Sequence, residues 1–99
     1  MYGLIGKMRS EPGKREELLA LILAATTQMP GCLSYIVARD PADTTAIWIT
    51  EVWTDAESHK ASLTLPEVQA AIARARPLVT GFDIQIETEP VSGVSMPAG

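Results

Sequence analysis

The alternation of apolar and polar positions predicts four strands. A two-residue period runs over residues 2–9, 33–39, 45–53 and 82–87. A short Asp- and Pro-containing turn at residues 40–43 separates the second run from the third, which is typical of a hairpin. The third run is apolar on both faces and the last is polar on one. The third strand is therefore expected at the centre of a sheet and the last at an edge.

One long amphipathic helix is predicted between the first two strands, over residues 14–29. Apolar side chains recur there three or four positions apart, namely Leu18, Ile22, Ala25 and Met29. Pro30 and Gly31 follow directly and end the helical pattern.

Two shorter helical segments are predicted after the third strand, over residues 55–63 and 65–76. Each begins with a capping-box signature, in which a threonine hydroxyl and a glutamate carboxylate satisfy free amides: Thr54 with Glu57, and Thr64 with Glu67. The second segment presents an apolar stripe that we expect to be buried, made of Val68, Ile72, Ala75 and Val79.

The order of elements is β-α-β-β-α-β, the ferredoxin-like α+β arrangement. We expect one such domain over residues 1–90 and a flexible C-terminal tail over residues 91–99. Helices on one side of the sheet cover only one of its faces. The other face carries aromatic and branched side chains, and this favours a homodimer in which two sheets pack together.

Composition narrows the classes of partner. The 99-residue chain has 8 basic and 12 acidic residues, a net charge of −4, which argues against nucleic acid or an anionic membrane as partner. A single cysteine and a single histidine exclude an internal disulfide and a Cys- or His-rich metal site. We see no signal peptide and no membrane span, so a cytoplasmic location is expected.

The candidate chemistry centres on Glu51, Trp53 and His59. Dinucleotide, P-loop, serine-hydrolase and zincin motifs are absent from the sequence. Strand alternation puts Glu51 and Trp53 on one face, and helical spacing with Ala56 and Leu63 turns His59 towards the sheet. Histidine suits proton transfer, a carboxylate can fix its tautomer, and Trp53 can wall a pocket. Alternatively, His59 is a core or interface residue and Glu51 pairs with a basic side chain.

Other candidates have less support. Tyr35 and Trp48 are expected together on the opposite face of the hairpin, as dimer packing or as substrate contacts. Arg74 is either a solvated helix end facing the dipole or a contact for an anionic substrate group. Cys32 is interpreted as a small apolar residue entering a strand rather than as a nucleophile.

Several short motifs together resemble the antibiotic biosynthesis monooxygenase (ABM) domain family over residues 1–89. They are Pro12-Gly13-Lys14-Arg15-Glu16-Glu17, Pro30-Gly31-Cys32-Leu33-Ser34-Tyr35, Arg39-Asp40-Pro41, and Glu51-x-Trp53-x-Asp55 leading to His59. The resemblance implies a dimeric α+β barrel built of ferredoxin-like subunits.

The resemblance also implies a function. Similar members include small monooxygenases that need no cofactor and oxidise quinols or polyketide anthrones with O₂. It places His59, Glu51 and Trp53 along a pocket between sheet and helices. The same family holds isomerases, haem-degrading enzymes and members without known activity, so it implies fold more firmly than function. Similar haem-degrading members use a histidine on the later helix, and residues 69–76 contain none. We therefore expect an aromatic substrate, O₂ and no bound cofactor or metal.

Overall fold

Four strands and three helices follow one another along the chain in the predicted order. The computed structural model describes residues 1–93. The elements are β1 (Tyr2–Ser10), α1 (Arg15–Ala25), β2 (Cys32–Arg39), β3 (Ala46–Trp53), α2 (Ala56–Ser62), α3 (Pro66–Ala75) and β4 (Val79–Thr88), with a 3₁₀ turn (Arg76–Leu78) before β4. This confirms the ferredoxin-like α+β fold. The predicted tail lies mostly outside the described residues.

The sheet is antiparallel throughout, in the order β2-β3-β1-β4. The first and third strands are therefore central and the second and fourth are at the edges, which confirms the places predicted for the third strand and the last. The pairing of β1 with β4 is interrupted by two irregularities, between Lys7 and Met8 and between Arg9 and Ser10. Strand β4 starts earlier than the pattern predicted, because Val79 already pairs with Ser10.

The helix ends differ from the predicted ones. Helix α1 stops at Ala25, where the Thr26 hydroxyl donates a hydrogen bond to the Ile22 carbonyl at 2.8 Å. Helix α2 is capped by Asp55, whose Oδ1 accepts from the Ser58 amide at 2.7 Å, so Thr54 is not the cap. Leu65 precedes α3 without a side-chain cap. Its extended conformation is what the following proline requires, so the second capping box is also wrong.

The three helices lie on one face of the sheet. Side chains from α1, β3 and the 3₁₀ turn form the buried centre there, namely Leu18, Leu19, Ile47 and Leu78. Helix α3 contributes no buried residue, and Ile72 remains 36% exposed. The predicted stripe of Val68, Ile72, Ala75 and Val79 does face the space between α3 and the sheet, but three of the four are only half-buried and none is fully buried.

The opposite face of the sheet carries no helix in the part of the chain that the structure describes, and we name it the open face. Ile5, Trp48 and Val52 lie on it along the central strands. Ile36 and Ile86, which pair with Thr50 and Ile5, are 58% and 49% exposed there.

No helix within residues 1–93 is both long and apolar enough to cross a membrane.

Asp43 lies in the turn before β3 and links that turn to β1. One carboxylate oxygen accepts hydrogen bonds from the Thr45 amide (3.0 Å) and hydroxyl (2.9 Å), and the other accepts from the Arg9 guanidinium. Arg9 also reaches Asp83 on β4 at 2.8 Å. The bonds from Thr45 and Arg9 hold the pKa of Asp43 well below its usual range. This cluster therefore joins three parts of the sheet through an ionised carboxylate.

Replacing Leu18 tests the core. We expect Leu18→Ala to lower the free energy of unfolding by about 2–5 kcal/mol, since removing a buried leucine leaves a cavity. Leu18 is fully buried, whereas Leu23 on the same helix is 54% exposed. Leu23→Ala should therefore change it by only about 0.5 kcal/mol. Urea unfolding followed by circular dichroism measures both, and equal losses would contradict the packing described for α1.

Asp43 predicts a pH dependence of stability. A carboxyl whose pKa is lowered in the folded state stabilises that state above the ordinary carboxyl pKa, and this contribution disappears as the pH falls below about 4. We expect Asp43→Asn to unfold at a lower temperature than the natural protein at pH 7, with a difference that narrows between about pH 4 and pH 2. Thermal scans across this range measure the difference. A constant difference would show that ionisation of Asp43 contributes nothing.

Candidate functional site

The structure brings together the three residues that carried the predicted chemistry. Alternation along β3 directs Glu51 and Trp53 towards the helices, and α2 begins early enough to turn His59 back onto them. The indole Nε1 of Trp53 donates a hydrogen bond to Glu51 Oε1 at 3.0 Å. His59 Nε2 lies 3.9 Å from the same oxygen. The carboxylate thus stands between a fixed donor and the imidazole.

Trp53 holds a different position from the one expected. It is 1% exposed, so its indole is not available as a pocket wall. The His59 ring meets it edge-on, with ring centroids 5.4 Å apart. Trp53 therefore orients Glu51 and supports His59 from behind, and a substrate on the cavity side would not reach it.

Burial shapes the electrostatics of this group. Desolvation raises the pKa of Glu51, while the Trp53 N–H and the charge of His59 oppose the rise. The separation of 3.9 Å between imidazole and carboxylate exceeds a hydrogen bond, so their interaction is electrostatic. A proton on His59 Nε2 would lie beside the Glu51 carboxylate oxygen, 3.9 Å away. The arrangement can therefore accept a proton from a neighbouring ligand.

A cavity of about 470 Å³ opens beside His59 and Glu51, between β1, β4 and α2. We call it the His59 cavity. Its other polar side chains are Tyr2, Gln85 and Glu87, and Leu4 and Leu63 supply apolar surface. The rings of Tyr2 and His59 are 5.6 Å apart. Burial, followed by the neighbouring Glu87 and Glu51, raises the pKa of the Tyr2 phenol.

Tyr2 and Glu87 were missed by sequence reasoning. Alternation along β1 places Tyr2 on the same face as Leu4, and this was a usable signal. For Glu87 there was none, because the pairing of β1 with β4 decides which β4 residues approach His59, and periodicity does not show which residues pair.

A second cavity of about 520 Å³ lies between α1, α3 and the sheet, and we call it the apolar cavity. Tyr35 lines it, and Leu63 borders both cavities. Tyr35 pairs with Glu51 and shares its face, so the expectation that it lies beside Trp48 is wrong. Tyr35 lies after the irregularity between Cys32 and Ser34, in the regular part of the pairing, so its pairing with Glu51 decides its face. Burial strongly raises the pKa of the Tyr35 phenol.

Three remaining candidates lie away from the His59 cavity. Trp48 is on the open face, where its Nε1 donates to Asp40 Oδ2 at 2.9 Å and Lys7 Nζ is 5.4 Å from its ring centroid. Arg74 is exposed on α3 and lines neither cavity, whereas Arg76 borders the apolar one. Cys32 is half-buried, and desolvation raises the pKa of its thiol, which does not favour a nucleophile.

Within the described residues, no three His, Cys, Asp or Glu side chains are grouped so as to hold a metal ion.

Solved structures similar to this chain come from several bacteria. A protein of Chloroflexus aurantiacus, provisionally described as an antibiotic biosynthesis monooxygenase, is 61% identical with a TM-score of 0.91 over 93% of this chain and 94% of its own. One from Deinococcus radiodurans with the same provisional description is 28% identical, with a TM-score of 0.78 over 94% and 95% of the two chains.

A third similar structure, from Nitrosomonas europaea, is 12% identical with a TM-score of 0.83 over 93% of this chain and 100% of its own, and shows the fold alone. A comparison with curated proteins gives no match. The family model for antibiotic biosynthesis monooxygenases matches residues 1–74, which include β1 to β3, both shorter helices up to Arg74, and all of Glu51, Trp53 and His59. The chain belongs to the antibiotic biosynthesis monooxygenase family.

Proposed function

We propose that this protein is a cofactor-independent monooxygenase that oxidises a quinol or polyketide-like aromatic compound with O₂, and that the reaction takes place in the His59 cavity. The observation that supports it is the chain of contacts from the Trp53 indole to Glu51 and on to His59, which opens onto a cavity. Family membership favours the same chemistry.

His59 acts as the general base in this proposal. A ring hydroxyl of the substrate gives its proton to the imidazole, and Glu51 stabilises the resulting imidazolium. Trp53 keeps the Glu51 carboxylate in place, so Glu51 and Trp53 are positioning residues. The partly buried cavity removes water from the phenolate, which makes it a stronger electron donor.

The substrate supplies the electrons. Once deprotonated, an electron-rich ring reduces O₂ directly, one oxygen atom forms a new bond to a ring carbon, and the other leaves as water. For a simple quinol, a dihydroxybenzene plus O₂ gives a hydroxybenzoquinone plus water, so atoms and electrons balance without a further reductant. The protein has only to bind, desolvate and deprotonate the ring.

A second candidate function is non-catalytic binding of a small molecule, or an isomerase reaction, as found elsewhere in families of this fold. The apolar cavity favours binding: it is the larger of the two and its lining is mainly aliphatic, with few groups able to move a proton. In a pure binding protein, His59 would affect ligand affinity or stability and nothing else.

The assembly belongs to the same proposal. The open face leaves Ile36 and Ile86 in water, and a second copy packing sheet to sheet would cover them. We propose a homodimer formed in this way, in which both His59 cavities lie on the outer, helix-covered sides.

Replacing His59 tests the reaction. We expect His59→Gln to lower the rate of oxygen consumption with hydroquinone by about 10²–10⁴-fold, which is the usual contribution of a positioned base. Lys60→Gln is the matched control, because Lys60 is the next residue of α2 and is exposed. An oxygen electrode measures the rates without added cofactor, and circular dichroism checks the fold. Equal rates for both variants would remove His59 from catalysis. No consumption even by the natural protein would favour the binding or isomerase function.

Charged substitutions on the open face test the dimer. We expect Ile36→Lys with Ile86→Lys to produce a monomer, since both would place a charge in a buried apolar interface. Leu23→Lys is the control, because Leu23 is similarly exposed but lies on the helix side. Sedimentation velocity at micromolar concentration measures the mass. A monomeric natural protein, or a double variant that remains a dimer, would contradict the proposed interface.

A further inference from the structure

Two carboxylates of the His59 cavity stand on either side of one β1 residue. Leu4 pairs with Glu51 of β3 on one side and with Glu87 of β4 on the other. Paired residues of neighbouring strands share a face, so both carboxylates project from the helix side of the sheet. Neighbouring strands are about 4.8 Å apart, which separates the two backbone positions by about 10 Å. Hydrogen-bond acceptors therefore flank the cavity at both ends.

The surface of the sheet between these two acceptors is apolar and only partly covered by side chains. Leu4 covers it at the row of the two glutamates, and Gly6 follows on the same face without a side chain. A Cβ atom at Gly6 would lie 3.7 Å from the Ile84 carbonyl oxygen, an ordinary van der Waals distance, so backbone packing does not demand glycine there. The missing side chain thus leaves room for a flat ring above the sheet.

The charged side chains that line the His59 cavity are mainly acidic. Among residues 1–93, those that line it include Glu51 and Glu87 but no lysine or arginine, and His59 is the only one of them whose side chain can become positive. Desolvation is the main cause of the raised pKa of Tyr2, and the neighbouring carboxylates of Glu87 and Glu51 add to it. A ligand that donates hydrogen bonds at both ends suits such a cavity, and a ligand that brings a negative charge is repelled.

We propose that Glu87 is a specificity-determining residue, the second hydrogen-bond acceptor of the His59 cavity, and that the cavity selects an uncharged ring bearing two hydroxyl groups over the same ring bearing a carboxylate. One hydroxyl faces His59 and the other faces Glu87. The inference rests on the proposed function in taking this cavity as the reaction site. It assigns a role to a β4 residue that lies beyond the family match at residues 1–74.

The single histidine of the chain provides a direct reporter. Its imidazole proton signals in ¹H NMR belong to His59 alone, so ligand titrations under anaerobic conditions measure binding at this cavity without turnover. Three probes separate charge from size: hydroquinone, 2,5-dihydroxybenzoate and its methyl ester. At pH 7 we expect hydroquinone and the ester to bind with similar dissociation constants, and the charged acid to bind about tenfold more weakly.

Two variants locate the source of the selection. Glu87→Gln should reduce the difference between acid and ester to about threefold or less, because it removes the charge and keeps the shape. Glu89→Gln removes the same charge from a position that is exposed, as Glu87 is, but lies outside the cavity lining, and should leave the tenfold difference unchanged.

Several results would overturn the inference. These are equal affinity for acid and ester in the natural protein, an unchanged preference in Glu87→Gln, and no effect of any probe on the His59 signals. Oxygen consumption tests the proposed reaction independently of ligand binding. If the charge preference is found but hydroquinone is never oxidised, the proposed reaction fails and the selectivity stands. If oxidation depends on His59 but acid and ester bind equally, only the inference about Glu87 fails.

Discussion

The register of β1 within the sheet is the constraint on which the rest of the structure depends. This strand pairs with β3 on one side and β4 on the other, and its alternation sends Tyr2, Leu4, Gly6 and Met8 to the helix side. A slip by one residue would turn all of them to the open face. The core around Ile47 and the two walls of the His59 cavity would then be lost together, because both are built on these pairings.

Burial of Glu51 has an energetic cost. A carboxylate in a mostly apolar row loses hydration, which is why its pKa is raised. The buried Trp53 donates to it from behind and His59 approaches from the front, so the charge keeps partners on both sides. The same contacts that make this charge tolerable also orient it towards the imidazole. The same three side chains, Glu51, Trp53 and His59, thus both stabilise the fold and form the proton acceptor.

The two cavities differ because the helices approach the sheet unequally. Helix α1 places Leu18 and Leu19 firmly on the strands, whereas α3 remains separated from them and buries no residue fully. The space that it leaves is the apolar cavity. The His59 cavity is smaller but is lined by Tyr2, Glu51, His59 and Glu87, whereas the apolar cavity has Tyr35 and Arg76, and Leu63 borders both. The unequal approach of the helices therefore gives this one small domain an apolar cavity and a separate cavity that holds His59 and Glu51.

The sequence by itself determined the elements, their order, the central strands and the direction of His59, Glu51 and Trp53. These properties follow from local periodicity, since a two-residue or a 3.6-residue repeat decides which side chains share a face. Only the tertiary structure decided which faces meet. Pairing with β1 brought Glu87 to the site, and pairing with β3 moved Tyr35 to the helix side. Packing also buried Trp53 completely, and neither register nor depth of burial is encoded in the repeat of any single segment.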